Sequence, residues 1–292
     1  LAGPIFWGIK NYVEAGSYLG LLPLLLAALA VLHVQQSAWR RQVFIFSGLA
    51  AISLAFVFGT PLYALLYYSL PGFSQLHSPF RWVFPYTLAT AVLAGIGLEI
   101  LTDRDKTARS FPWPKMLGGT ALVAGGGVLA IVAWSLAMPG LFTRLGEGVL
   151  TGSEQARAVF TDGAVFWRYQ AVNLLKFGGL LVLSGGTLIW AASRPRVGSV
   201  LVLAIIIFDL WLYGHNFNPS AKTEWLNFRP PVVEFLQQDD EPWRFTTFIS
   251  PGEKTFNANV GMFYDFQDVR GYDSIITAAY VSYMEQIEPQ DE

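Results

Sequence analysis

Long runs free of Asp, Glu, Lys and Arg alternate with short basic connections over the first 213 residues, and this pattern predicts membrane helices. A bilayer core about 30 Å thick needs about 20 mostly apolar residues per helix, because lipid cannot satisfy bare backbone groups. Charge-free runs cover 15–39, 42–80, 82–98 and 116–143, and two more apolar runs, 170–192 and 197–213, are interrupted only by Lys176 and Asp209. The pattern predicts six spans, at 17–39, 43–61, 81–101, 116–138, 170–192 and 197–213. The run 42–80 is too long for one crossing, and Pro61, Pro71, Gly72 and Pro79 punctuate its second half, so 62–80 is expected to be a re-entrant or interfacial segment. An outer loop is expected at 139–169. The glycine pairs and triplets at 118–119, 125–127, 178–179 and 185–186 fall inside spans, where close helix packing explains them.

Basic residues accumulate on the cytoplasmic side of membrane proteins. Arg40 and Arg41, then Arg104, Lys106, Arg109 and Lys115, then Arg194 and Arg196 occupy alternate connections, which assigns those three to the cytoplasm. The remaining connections and everything after Gly214 are then extracytoplasmic. Tryptophans near the span borders, Trp39, Trp82, Trp113, Trp134, Trp167, Trp190 and Trp211, fit an aromatic belt. After Gly214 the pattern changes, with five basic and thirteen acidic residues among turn-forming Asn, Pro and Gly. Short β-like runs such as WRFTTFI at 243–249 and a helix-like stretch at 231–238 predict a small α/β domain over 214–292, incomplete as it stands. The fold class expected is therefore an all-α polytopic bundle followed by the start of a small extracytoplasmic α/β domain.

Composition supports this reading and removes several function classes. The chain of 292 residues is 53% hydrophobic and 14% charged, outside the range of ordinary soluble domains. A net charge of −2 offers no electrostatic case for nucleic acid, and the absence of cysteine excludes disulfides, zinc–cysteine sites and thiol nucleophiles. The chain opens on Leu1 without a signal pattern and stops at Glu292 within a domain still in progress, so it reads as an internal stretch of a longer protein.

Candidate chemistry gathers where the chain meets the predicted outer surface. Asn11, Glu14 and Tyr18 precede or open the first span, and His77, Arg81 and Trp82 lie where SLPGFSQLHSPFRW returns to the membrane. An acid, an imidazole and a guanidinium at one depth suit a phosphate-bearing amphiphile, since Arg offers a planar donor fork and His can shuttle a proton. Helix-end anchoring by an interfacial Glu–Arg pair explains the same residues without a ligand. Lys176 and Asp209, charged positions well inside spans, come out at comparable height and are expected to form an intramembrane ion pair. The segment YDFQDVRGYDS carries Asp265, Asp268 and Asp273, but their spacing does not fit a calcium loop, so turn and surface roles are expected and no metal site is assigned. No phosphate-binding loop, HExxH or GxSxG motif occurs, and no catalytic residue is assigned.

Five segments in order, NYVEAGSYLGLLPLLLA at 11–27, LPGFSQLHSPFRW at 70–82 leading into LAGIGLEIL, FDLWLYGHNFNP at 208–219, WRF at 243–245 and DVRGYDS at 268–274, resemble the bacterial YfhO-like integral membrane proteins. The resemblance covers nearly the whole chain, which would be the later half of such a protein. It implies a GT-C type glycosyltransferase in the bacterial cytoplasmic membrane. Such an enzyme would move a sugar from a polyprenyl-phosphate carrier to an extracytoplasmic envelope polymer or glycolipid. It also implies that the catalytic acid, and any divalent cation it holds, lies in an outer loop upstream of Leu1. Glu14 matches the family's acidic position before its LLP-rich span, and Arg81 the Arg of its PGF…R segment, whereas His77 stands where many relatives differ. Under that resemblance Arg81 would neutralise the departing lipid phosphate and Glu14 would position it, with Tyr18 and Trp82 stacking on sugar or isoprene. A transporter, flippase or scaffold for the same lipid-linked material is the alternative, one in which Lys176 and Asp209 matter more.

Overall fold

The computed structural model describes residues 16–35, 37–73, 79–103, 112–215, 217, 222–239, 243–247, 256–257, 259–270 and 276–287. The chain divides into two compact units, Leu1–Pro219 and Ser220–Glu292. Among the described residues of the first unit the secondary structure is helical throughout. Five of its helical segments are long and apolar enough to cross a membrane: Arg40–Val57, Pro79–Thr102, Trp113–Ala137, Gly163–Ser193 and Val197–Gly214. The chain is a multi-pass membrane protein on this evidence of length and composition.

The first predicted span is not one continuous crossing. Residues 16–20 have no regular secondary structure, α1 covers Leu21–Leu32, and turns follow at 33–35. Twelve residues rise about 18 Å, well short of the hydrocarbon core. The charge-free run 15–39 is longer than its apolar part, because Ser17, His33, Gln35, Gln36 and Ser37 are polar without being charged. Gly20, at φ +84°, places the chain where side-chain-bearing residues are strained, and the helix begins just after it. Leu22, Leu26 and Leu29 lie on one face of α1 and are buried, with Ala27 and Ala30 beside them.

Helix α2 (Arg40–Val57) ends at a turn containing Gly59 at φ +62°, and α3 (Pro61–Ser69) restarts at a proline in the first helical position, where a missing N–H costs nothing. The expected interfacial segment therefore opens as a nine-residue helix. A 3₁₀ turn at Pro79–Trp82 leads into α4 (Val83–Thr102), close to its predicted bounds. The Trp39 indole donates to Glu99 Oε2 at 2.6 Å, and Trp82 meets Phe56 edge-on at 4.6 Å between centroids, so α2 and α4 run antiparallel.

The loop expected at 139–169 is helical instead. α5 (Trp113–Ala137) passes through Met138 into α6 (Pro139–Gly152), then α7 (Glu154–Val159), and α8 starts at Gly163 and runs to Ser193. Pro139 stands at the first position of α6. The Ser153 hydroxyl accepts from Ala156 N at 3.2 Å, and Asp162 Oδ1 from Val165 N at 2.8 Å, capping the next two helices. Glu147 of α6 reaches across to accept from Gly163 N at 2.7 Å. These turn and cap residues occur in a stretch whose apolar pattern is amphipathic rather than continuous: Phe142, Gly146 and Leu150 are buried one turn apart, while Arg144, Glu147 and Thr151 are exposed.

A glycine seam joins α5–α6 to α8. A Cβ on Gly125 would lie 2.8 Å from the Gly178 carbonyl oxygen and one on Gly118 2.7 Å from that of Gly185, and Gly146 meets Gly163 backbone to backbone. Only glycine permits axes this close. Their neighbours Gly119, Gly126, Gly127, Gly179 and Gly186 face open space. At the other end of α8 a single residue, Arg194, turns the chain into α9 (Pro195–Gly214), and Gly198 packs on Ala191. The alternation places Arg40, Arg41, Lys115 and Arg194 at one end of the unit, called here the basic end.

In the second unit the described residues hold short helices, α10 (Thr223–Leu226), α11 (Pro231–Leu236) and α12 (Ala278–Met284), a 3₁₀ turn at Val260–Tyr264, and one parallel bridge between Phe245 and Asp268. The expected α/β domain is thus represented by a single bridge and no strand among these residues. Of the β-like run 243–249, residues 248 and 249 lie outside the described residues. Phe245, Phe256, Tyr264 and Phe266 pack ring against ring around that bridge.

Candidate functional site

Asp209 sits fifteen residues into α9, about 21 Å from its start at the basic end and about 7.5 Å before Gly214. A carboxylate at that depth in an apolar helix is costly unless its oxygens are occupied. Asp209 is completely buried, and both oxygens have donors. Oδ2 accepts from the backbone N–H of Leu21, the first residue of α1, at 2.8 Å, and Oδ1 accepts a short hydrogen bond from the Tyr18 hydroxyl. The Tyr18 ring in turn stacks on Tyr213, one turn beyond Asp209, at 4.5 Å between centroids.

The side chain of one helix therefore caps the N-terminus of another. The open N–H groups and positive dipole end of α1 meet a negative charge, the arrangement that satisfies both where no water is present. Gly20 makes the approach feasible twice over: its φ is positive, and a Cβ there would stand 3.2 Å from Asp209 Oδ2 and 3.1 Å from Pro23 Cδ. Irregular backbone is tolerated at membrane depth only where protein covers it, and in the irregular segment 16–20 Tyr18 packs on Asp209 and Tyr213 while Gly20 is buried. Each carboxylate oxygen keeps a second lone pair.

The expected ion pair of Lys176 with Asp209 does not form. Lys176 is exposed on α8, and no ion pair joins the two. Height computed from residue count fixes one coordinate only: Gly178, which faces α5, lies about 200° around the helix from Lys176, so the ammonium points away from that seam.

The outer-face group expected from the sequence is divided. Asn11, Glu14 and His77 lie outside the described residues. Tyr18 engages Asp209 and Tyr213, while Trp82 packs on Phe56, whose ring also meets Tyr63, which continues to Tyr67 and Phe73. Arg81, in the 3₁₀ turn at the end remote from Arg40, Arg41, Lys115 and Arg194, is exposed, with no hydrogen bond or ion pair among the described residues. Sequence reasoning missed the Tyr18–Asp209 pairing and the part played by Gly20. The available signal was Pro23, a proline that belongs in a first helical turn and marks a start near Leu21.

Among the described residues no three His, Asp or Glu side chains are grouped as a metal ion would require. Comparison with known proteins brings no relative to bear: no family model, no curated protein and no solved structure matches the chain. The class defined by fold and site is a polytopic helical membrane protein in which a buried carboxylate caps the start of a helix, followed in the chain by a second compact unit.

Proposed function

We propose that the protein is part of a membrane glycosyltransferase of the YfhO-like, GT-C kind. It would transfer a sugar from a polyprenyl-phosphate carrier to an extracytoplasmic envelope polymer or glycolipid in a bacterial cytoplasmic membrane. The observation that carries this reading is the exposed Arg81, which has no hydrogen bond or ion pair among the described residues, at the end of the membrane unit opposite Arg40, Arg41, Lys115 and Arg194 and next to an aromatic cluster anchored by Trp82. A guanidinium in that position offers a planar donor fork to a lipid phosphate, and it acts most strongly where negative charge develops as the phosphate departs. Trp82 flanks it as an apolar surface for the first isoprene units. Glu14, placed just upstream of Tyr18 in the chain, is assigned the role of orienting Arg81 or the acceptor hydroxyl.

The test is transfer of radiolabelled sugar from a polyprenyl-phosphate donor in membranes that contain the protein. Arg81→Ala at matched expression is expected to lower transfer on the order of 10²-fold, with partial recovery in Arg81→Lys. Full activity in the alanine variant removes Arg81 from the mechanism.

A second reading, a transporter or flippase for the same lipid-linked material, is favoured by the buried Asp209 carboxylate at the N-terminus of α1, since helix N-termini that meet charged groups at membrane depth line translocation paths. Absence of transfer with every donor, together with donor-dependent movement of labelled lipid between leaflets that Asp209→Asn abolishes, would establish it.

A further inference from the structure

The second unit contains an open cavity of about 560 Å³, within the range of small-molecule sites. The charged side chains that line it, Asp268 and Arg270, are paired with each other: Arg270 Nε and Nη2 donate to Asp268 Oδ1 and Oδ2 at 3.1 and 2.8 Å. Arg270 Nη2 also donates to the Phe256 carbonyl at 2.6 Å, and the side chain is almost wholly buried. The guanidinium is thus fixed in place and its charge compensated, while Nη1 has no protein partner among the described residues. Around this pair stand Gln267 and Thr277, with hydrogen-bonding groups of both senses, and the rings of Phe266 and Tyr280.

The backbone beside the cavity is strained. Among the described residues Phe256, Asn259 and Asp265 are the side-chain-bearing positions with positive φ, at 55°, 72° and 60°. Asn and Asp tolerate that region, but Phe does not, and its carbonyl is the one held by Arg270. Strain of this kind persists where surrounding structure over-determines it, and it gathers at ligand sites.

We propose that this cavity binds an uncharged saccharide. Compensated charge argues against an anion, planar amide and ion-pair groups match vicinal hydroxyls, and aromatic faces match the C–H face of a pyranose. That the sugar belongs to the acceptor rests on the glycosyltransferase reading; the binding itself does not.

The experiment is saturation-transfer NMR on the full chain in lipid nanodiscs with maltose, lactose and N,N′-diacetylchitobiose, read without turnover. Transfer to ring protons of at least one disaccharide is expected. Tyr280→Ala and Gln267→Ala, both at exposed positions, should each weaken binding about tenfold, the loss of one good contact, while Tyr283→Ala on the same helix leaves it unchanged. Melting curves that match the wild type exclude unfolding as the cause. No transfer to any of the three sugars, equal transfer in all variants, or displacement of the sugar by inorganic phosphate overturns the proposal. Sugar binding without glycosyl transfer keeps the cavity and removes the enzyme, whereas transfer without sugar binding does the reverse.

Discussion

Asp209 closes a helix end that the bilayer leaves without water, and its value can be read by removing its oxygens one at a time. Asp209→Ala leaves the Leu21 N–H and the Tyr18 hydroxyl without an acceptor, and each buried unsatisfied group costs about 1–3 kcal/mol. Thermal unfolding in nanodiscs should rank wild type above Asp209→Asn, which keeps one acceptor oxygen, and Asp209→Asn above Asp209→Ala. A melting point for the alanine variant equal to wild type would show that the cap contributes nothing. Gly20→Ala should cost about 1–3 kcal/mol, because φ +84° with ψ 149° is territory for glycine and the added methyl meets Asp209. At the start of α8 the Val165 N–H donates to Asp162 and holds its carboxyl below the usual carboxylate range. A depressed folded pKa stabilises the first turn above the unfolded value and loses that effect as pH falls through the folded one. Hydrogen exchange at Val165, normalised to its intrinsic rate, should therefore quicken in acid in the wild type and stay level in Asp162→Asn. These caps were only partly legible: Ser153 and Asp162 are ordinary N-cap residues in the sequence, but Asp209 caps a helix 188 residues away, and no local pattern records that.

Between elements, packing in the membrane unit depends on closeness more than on hydrophobic burial, because lipid is as apolar as leucine. The seven-residue spacing of Gly118 with Gly125, and of Gly178 with Gly185, repeats one contact face along α5 and α8. Gly125→Ala should destabilise by about 1–3 kcal/mol through overpacking against the Gly178 carbonyl, while Gly126→Ala, in open space, should be neutral or slightly stabilising. Unfolding that responds equally to both substitutions would dissolve the seam. The glycine clusters in the sequence indicate close packing, yet only one glycine of each pair or triplet lies in the seam, since adjacent residues stand about 100° apart on a helix. The same geometry separates Lys176 from Asp209. Helix α8, with 31 residues, rises about 46 Å, and its first turns pack on α6 where a loop was expected. Amphipathic helices such as α6 escape a search for continuous apolar runs.

Taken whole, the molecule has Arg40, Arg41, Lys115 and Arg194 at one end of the membrane unit, and the cysteine-free sequence makes the orientation of that end testable by single introduced thiols. Under the proposed orientation a membrane-impermeant maleimide should label Ser69→Cys, Thr151→Cys and Gln238→Cys in intact cells and Ala38→Cys only after lysis. Labelling of Ala38→Cys in intact cells would reverse the orientation. What the amino-acid sequence determined by itself was the membrane character, the bounds of five long apolar helices within a few residues apart from the early start of α8, and the change of composition after Gly214. Each follows from summed hydropathy or punctuation, properties additive along the chain. Tertiary structure alone decided that Asp209 partners Tyr18 and the end of α1 rather than Lys176, and that the Arg270 guanidinium holds the Phe256 carbonyl beside a cavity. Those outcomes depend on rotation about helix axes and on contacts between residues distant in sequence, and periodicity carries no record of either.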